Sequence, residues 1–181
     1  MTVICLLDFE TTGLHPDKGD KAIELCMMLY ERQDNEWVKI DTYLQRFNPE
    51  RSISSAAQAV HKISFEMVAM EPTFKESVGT IKTFLERSQH VVAHNLKFDM
   101  GFLIAEFAQA DEVLPNLKGV DTCEARWATP YGKVPNLGEL CFALNVGYNS
   151  ESAHSAEYDV DVLAKCFIRG LELGFFRLEE E

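Results

Sequence analysis

Two acidic residues near the start of the chain have the types and spacing of metal ligands. Asp8 and Glu10 follow the continuous apolar run 3–7, which is typical of a β-strand buried on both faces. Side chains alternate along a strand, so both carboxylates project from the same face. Two like charges ~4 Å apart repel by about 4 kcal/mol at an effective dielectric constant of 20, and a divalent cation would convert that repulsion into ligation. A solvated Asp-x-Glu pair at a strand end is the alternative.

Two further acidic residues stand at the expected starts of helices. Asp99 lies where a strand should give way to a helix that Asn95 would cap. Asp159 lies at the start of the last long helix, beside its apolar face. Both positions also have a structural interpretation, because an acidic residue early in a helix complements the helix dipole. His154, just before the last helix, could equally be a surface residue.

The elements that would position these residues follow from the apolar pattern. It predicts a first strand at 3–7, followed by a hairpin of two strands, and later two more strands and five helices. The other strands are expected at 22–30, 37–47, 90–94 and 117–120, and the helices at 55–60, from 74 onward, and at 97–109, 137–144 and 156–171. Three leading strands followed by alternating helices and strands predict a mixed α/β sheet flanked by helices.

Length and composition indicate one globular domain over residues 1–181, with 46% hydrophobic residues. The chain lacks a run of about eighteen apolar residues that could span a membrane. Its N-terminus has neither the basic start nor the cleavage site of a signal peptide. Five dispersed cysteines without CxxC spacing are typical of reduced thiols. We therefore expect a cytoplasmic protein with no membrane partner and a short, solvated acidic tail at 179–181.

Three short segments contain all the candidate residues. They read DFETTG from Asp8, HNLKFDMGFL from His94 and HSAEYD from His154. In this order and at these separations they resemble the three motifs of the DEDDh exonuclease family, in particular the proofreading epsilon subunits of bacterial DNA polymerase III. The resemblance covers about residues 3–170, and a histidine five residues before the final Asp159 marks the histidine subclass. It implies a ribonuclease H-like fold, with a mixed five-stranded sheet flanked by helices.

The same resemblance implies a 3′→5′ exonuclease that uses two divalent metal ions, Mg²⁺ or Mn²⁺, to release 5′-mononucleotides. Asp8, Glu10 and Asp159 would hold one ion. Asp8 would bridge to the second ion, and Asp99 would act partly through water. His154 would be the general base, since imidazole readily exchanges a proton at neutral pH.

Residues for substrate contact are also implied by the resemblance. Those expected to bind the terminal nucleotide are Thr11, Thr12, Gly13, Leu14, His61, Asn95 and Phe98. For Leu14 and Phe98, packing in the core is the alternative. Six basic residues could contact phosphates or could be solvated charges, namely Lys18, Lys21, Lys62, Lys97, Arg126 and Lys133.

Three other functions are alternatives to a 3′→5′ exonuclease. An exoribonuclease of the same family would use the same catalytic residues, although Thr11 stands where oligoribonucleases usually carry Met. A haloacid-dehalogenase-like phosphatase would need Asp at the position of Glu10. A catalytically inactive nucleic-acid-binding module is disfavoured, because all five expected catalytic residues are present.

The expected partner is a nucleic acid with a free 3′ end, and single-stranded DNA is favoured. A net charge of −12 argues against tight non-specific binding to duplexes, which requires a basic face. It does not argue against an enzyme that recruits cations and grips a few terminal nucleotides. Absence of an extension after Glu181 disfavours a dedicated polymerase partner. The preference between DNA and RNA and the oligomeric state are left open.

Overall fold

A single five-stranded sheet forms the centre of the computed structural model, which describes residues 2–179. The strands are β1 (Val3–Thr11), β2 (Ala22–Gln33), β3 (Glu36–Arg46), β4 (His90–Ala93) and β5 (Lys118–Asp121). Their order across the sheet is β3-β2-β1-β4-β5. The first three strands pair antiparallel, whereas β4 pairs parallel with β1, and β5 pairs parallel with β4. The prediction of a mixed five-stranded sheet is confirmed.

Helices cover both faces of this sheet. They are α1 (Ser55–His61), α2 (Phe65–Val68), α3 (Phe74–Leu85), α4 (Leu96–Gln109), α5 (Leu137–Ala143) and α6 (Ala156–Glu172). The five predicted helices are confirmed. The single turn α2 was missed, because four residues are too few for a helical period to show. Four short 3₁₀ segments were missed as well, at Pro16–Lys18, Thr122–Glu124, Arg126–Ala128 and Pro130–Gly132.

The sheet separates two hydrophobic cores, and β1 contributes to both. Its odd-numbered residues pack with α3 and α4, whereas Ile4 and Leu6 pack with α5 and α6. This alternation explains why the strand reads as a continuous apolar run. Asp8 and Glu10 continue the even-numbered series and therefore face α6.

No helix within residues 2–179 combines the length and the apolarity needed to cross a bilayer. All five cysteines are free thiols. Of the predicted acidic tail at 179–181, Glu180 and Glu181 lie outside the described residues.

Packing between α4 and β1 gives a stability prediction. Phe102 is fully buried, and its ring centroid lies 6.3 Å from that of Phe9 and 5.0 Å from that of Phe98. Phe102→Ala should lower the free energy of unfolding by about 3–5 kcal/mol, because it removes a buried ring and leaves a cavity. Denaturant titration followed by circular dichroism would measure the change.

Ile104 on the same helix is the matched control, because it is 57% exposed. Ile104→Ala should alter the free energy of unfolding by no more than about 0.5 kcal/mol. Equal losses in the two variants would contradict the packing described for α4.

Candidate active site

Three carboxylates converge where β1 meets the start of α6. Asp8 and Glu10 come from β1, and Asp159 comes from the first turn of α6. Each can offer one oxygen such that all three atoms lie within 4.8 Å of one another. Oxygen ligands from carboxylates are the donors that Mg²⁺ and Mn²⁺ prefer. The acidic cluster expected from the sequence is therefore assembled, although Glu10 and Asp159 lie 149 positions apart in the chain.

Asp99 approaches the same strand from the first turn of α4. Its Oδ1 accepts a hydrogen bond from the backbone N–H of Phe9 at 3.3 Å, and the residue is 1% exposed. Phe9 lies between Asp8 and Glu10, so Asp99 is placed next to the cluster, near enough for the charge of Asp8 to raise its pKa. It is not one of the three residues that share the 4.8 Å group.

Burial and mutual repulsion make these carboxyl groups hard to ionise together. Burial, followed by the neighbouring charge of Asp159, raises the pKa of Asp8 well above its usual value. Burial and then Asp8 raise the pKa of Glu10 to about 9. The pKa of Asp99 is also raised, by burial and then by Asp8, and that of Asp159 is raised by burial. Without a cation, Glu10 therefore favours its protonated form at neutral pH.

A fifth acidic residue, Glu24, was not identified from the sequence. It pairs with Glu10 across β1 and β2, is 5% exposed, and accepts a hydrogen bond from Arg46 Nε at 2.7 Å. Its charge contributes to the raised pKa of both Asp8 and Glu10. The sequence did contain a signal, because Glu24 is the only charged residue in the apolar run 22–30.

His154 lies beside the cluster but is not buried in it. Its backbone N–H donates a hydrogen bond to Asp159 Oδ2 at 3.0 Å, and its φ of 64° is in the left-handed region. Within residues 2–179 its exposed ring makes no hydrogen bond. The ring is close enough to His61 for its charge to lower the pKa of His61, although burial is the larger cause. This placement leaves the imidazole free to act on a bound water or substrate.

The loop after β1 offers backbone donors in preference to side-chain hydroxyls. Thr11 Oγ1 donates to Gly13 O at 2.6 Å, and Thr12 Oγ1 donates to Asp20 Oδ1 at 3.2 Å. By contrast, the backbone N–H groups of Gly13 and Leu14 make no hydrogen bond to any other described residue. Leu14 is 71% exposed, so the alternative of core packing does not hold for this residue.

Two other predicted substrate residues, His61 and Phe98, already have partners within the protein. His61 is buried, and its Nδ1 accepts a hydrogen bond from Ile63 N at 3.0 Å. Its Nε2 has no hydrogen bond of normal geometry, although the Thr11 backbone is near enough to influence its pKa. Phe98 is partly buried and packs against the core, which agrees with the alternative of core packing.

The prediction that Asn95 stands at the N-cap of α4 is confirmed. Asn95 does precede the helix, but it has a φ of 78° and makes no side-chain cap hydrogen bond. Instead, its backbone N–H donates to Asp121 Oδ1 at 3.0 Å. Asn tolerates the left-handed conformation that this turn requires. The exposed side chain is therefore not committed to the helix.

Most of the basic candidates are engaged within the protein. Lys21 Nζ pairs with the buried Glu106 at 3.1 Å, and Lys133 Nζ pairs with Glu139 at 2.7 Å. Arg126 donates to the backbone of Gly132, and Lys62 donates to that of Ala59. Two of the six, Lys18 and Lys97, have exposed side chains that bond to no other residue within 2–179.

Comparison with known proteins agrees with this geometry. The family model for exonucleases, RNase_T, matches residues 5–167. The chain is 30% identical over 169 residues to the DNA polymerase III subunit epsilon of Treponema pallidum, covering 88% of this chain and 72% of that protein. It is 30% identical over 168 residues to the 3′-5′ exonuclease DinG of Bacillus subtilis, covering 92% of this chain but only 17% of DinG.

A solved structure shows the same fold. The nuclease domain of 3′hExo, a DEDDh family member bound to rAMP, superposes with a TM-score of 0.75 at 20% sequence identity. The superposition covers 99% of this chain and 96% of the 3′hExo chain.

The electrostatics of the cluster predict how metal and pH affect stability. Because the folded protein raises the pKa of these carboxyl groups above that of the unfolded chain, protonation favours folding. The stabilising contribution is complete below about pH 4 and is lost as the pH rises through the folded values, up to about 9 for Glu10. Metal-free protein should therefore melt at a lower temperature at pH 8 than at pH 6.

Added Mn²⁺ should reverse that loss at pH 8. A ligand that binds only the folded state at a hundred times its Kd stabilises by about 2.7 kcal/mol. The control is Asp8→Asn, in which a metal ligand is lost and the shift in melting temperature should be much smaller. Equal Mn²⁺-induced shifts in the wild type and in Asp8→Asn would show that these carboxylates do not form a metal site.

Proposed function

Because the chain belongs to the exonuclease family, we propose that it removes nucleotides from the 3′ end of a nucleic acid by metal-dependent hydrolysis. Its motifs are those of the DEDDh 3′→5′ exonucleases. The observation that carries the proposal is the convergence of Asp8, Glu10 and Asp159 within 4.8 Å. We also propose that residues 1–181 act as one domain, and that the protein is cytoplasmic.

The donor set fits divalent cations. Three carboxylate oxygens from rigid elements suit hard ions such as Mg²⁺ and Mn²⁺, and the raised pKa values indicate that a positive charge is required for full ionisation. When bound, divalent cations would neutralise charge on the phosphate and lower the pKa of a bound water. Asp8, Glu10 and Asp159 would hold one cation, and Asp8 would be shared with a second. Asp99 would reach the second through water.

The remaining steps fall to side chains and backbone groups of the chain. The imidazole of His154 would take the proton of the attacking water, because its ring is free and lies beside Asp159. The backbone N–H groups of Gly13 and Leu14 would orient the terminal nucleotide, and the exposed Leu14 side chain would pack against its base. His61 and Phe98 would line the same pocket.

Single-stranded DNA is the proposed substrate, and an exoribonuclease of the same family is the alternative. The catalytic carboxylates do not discriminate between the two, since relatives of this chain include a DNA polymerase subunit and a nuclease bound to rAMP. Thr11, where oligoribonucleases usually carry Met, favours DNA.

A first activity prediction concerns polarity and product. With Mg²⁺ or Mn²⁺, 5′-labelled single-stranded DNA should shorten from its 3′ end and release 5′-mononucleotides. Excess chelator should abolish the reaction, because the carboxylates alone cannot neutralise the phosphate. Duplex DNA and RNA labelled in the same way should be degraded more slowly. Robust cleavage in chelator, or equal rates on strands with free and 3′-phosphorylated ends, would contradict the proposal. Faster degradation of RNA would select the alternative.

A second activity prediction concerns His154. We choose His154→Asn, because Asn tolerates the φ of 64° found there and keeps the backbone N–H that binds Asp159. Turnover should fall by roughly 10²–10⁴-fold, the usual worth of positioned acid–base catalysis. The acidic limb of the rate profile should flatten, whereas melting temperature and its Mn²⁺-induced shift should be retained.

Asp159→Asn is the control, since loss of a metal ligand should remove both activity and metal-induced stabilisation. If His154→Asn keeps more than about a tenth of the wild-type rate with its acidic limb unchanged, another group is the base.

A further inference from the structure

Glu24 belongs to a row of three charged residues that runs across the sheet next to the carboxylate cluster. It pairs with Glu10 on β1 and with Arg46 on β3. Neighbouring strands lie about 4.7–4.9 Å apart, and paired residues share a face of the sheet. Two carboxylates and one guanidinium therefore stand side by side on the face that carries Asp8.

Two carboxylates side by side in a sheet lower its stability, so a functional role is needed to explain why they are there. Like charges directly opposite in a sheet destabilise it, and a buried carboxylate requires a partner. Glu24 is 5% exposed and has that partner in Arg46, whose Nε lies 2.7 Å from Glu24 Oε2. A glutamine at this position would accept the same hydrogen bond without repelling Glu10. Nor is Glu24 one of the three carboxylates that can share a cation.

We propose that Glu24 is a positioning residue for the metal centre. Held away from the cluster by Arg46, it maintains a negative charge one strand from Glu10 and strengthens cation binding without ligating the cation. Arg46 fixes the orientation of Glu24, and its half-exposed guanidinium lies farther from the cluster than Glu24 does. The proposal rests on the proposed function, since it assumes that Asp8, Glu10 and Asp159 bind metal.

A purely structural ion pair between β2 and β3 makes a different prediction from an electrostatic role. If the pair only joins the strands, loss of either partner should lower stability and leave cation affinity alone, or reduce it equally. If Glu24 acts by its charge, the two partners have opposite signs. Removal of the negative charge should then weaken cation binding, and removal of the positive charge should not.

The experiment is a titration of each full-length variant with Mn²⁺ at pH 8, followed by electron paramagnetic resonance of the free ion. Glu24→Gln keeps the size of the side chain and should weaken Mn²⁺ binding on the order of tenfold, as expected when one nearby charge is lost from a partly buried site. Arg46→Gln should bind Mn²⁺ at least as tightly as the wild type. In Glu24→Gln, excess Mn²⁺ should restore the exonuclease rate, because the metal ligands are intact.

Glu24→Asp separates charge from shape, because it keeps the negative charge on a shorter side chain. It should bind Mn²⁺ more tightly than Glu24→Gln, and it can be tested if Glu24→Gln fails to fold. Arg87 and Asp41 form the matched control, an exposed ion pair that also involves β3. Arg87→Gln and Asp41→Asn should leave Mn²⁺ affinity unchanged.

Two results would overturn the proposal. One is Mn²⁺ binding by Glu24→Gln within twofold of the wild type, and the other is weaker binding by Arg46→Gln than by the wild type. Failure of the underlying metal site would look different. In that case the wild type and Asp8→Asn would bind Mn²⁺ alike, whatever the Glu24 variants do.

Discussion

Mutual repulsion among closely spaced carboxylates is the constraint on which the rest of this structure depends. Oxygen atoms of Asp8, Glu10 and Asp159 come within 4.8 Å of one another, and Asp99 lies next to them, where it accepts a hydrogen bond from Phe9 N. Left to themselves such groups would separate or remain protonated. The two hydrophobic cores prevent separation, because they clamp β1 from both faces and hold α4 and α6 against it. Because the carboxylates are held together, a bound cation would be needed to offset the repulsion between them.

The starts of two helices reduce the cost of this cluster. Asp99 and Asp159 lie in the first turns of α4 and α6, where the helix dipole presents partial positive charge. Each carboxylate also accepts one backbone N–H, from Phe9 and from His154 respectively. The structural interpretation of these residues is thus compatible with the proposed metal site, since the contacts that stabilise the two carboxylates also hold them next to β1.

The sequence was informative where function depends on local pattern. Alternation along β1 placed Asp8 and Glu10 on one face, and helical spacing located the elements that carry Asp99 and Asp159. It was less informative where the outcome depends on partners distant in the chain. Asn95 stands at the predicted N-cap, but its side chain makes no cap hydrogen bond, and Lys21 pairs with Glu106, which is distant in the chain. Glu24 was missed because its importance lies in strand register, which pairs it with Glu10 and Arg46.

The acidity of the protein is consistent with the way its candidate site is built. Four of the six basic candidates bind groups within the protein, including Lys21 and Lys133 in ion pairs. Only Lys18 and Lys97 among the six have side chains without a partner within residues 2–179. The groups proposed to contact a substrate are the carboxylates of the cluster, through bound cations, the backbone N–H groups of Gly13 and Leu14, and the exposed Leu14 side chain. These groups suit a chain end better than a duplex, because they can contact one terminal nucleotide closely while the net charge of −12 repels the remainder.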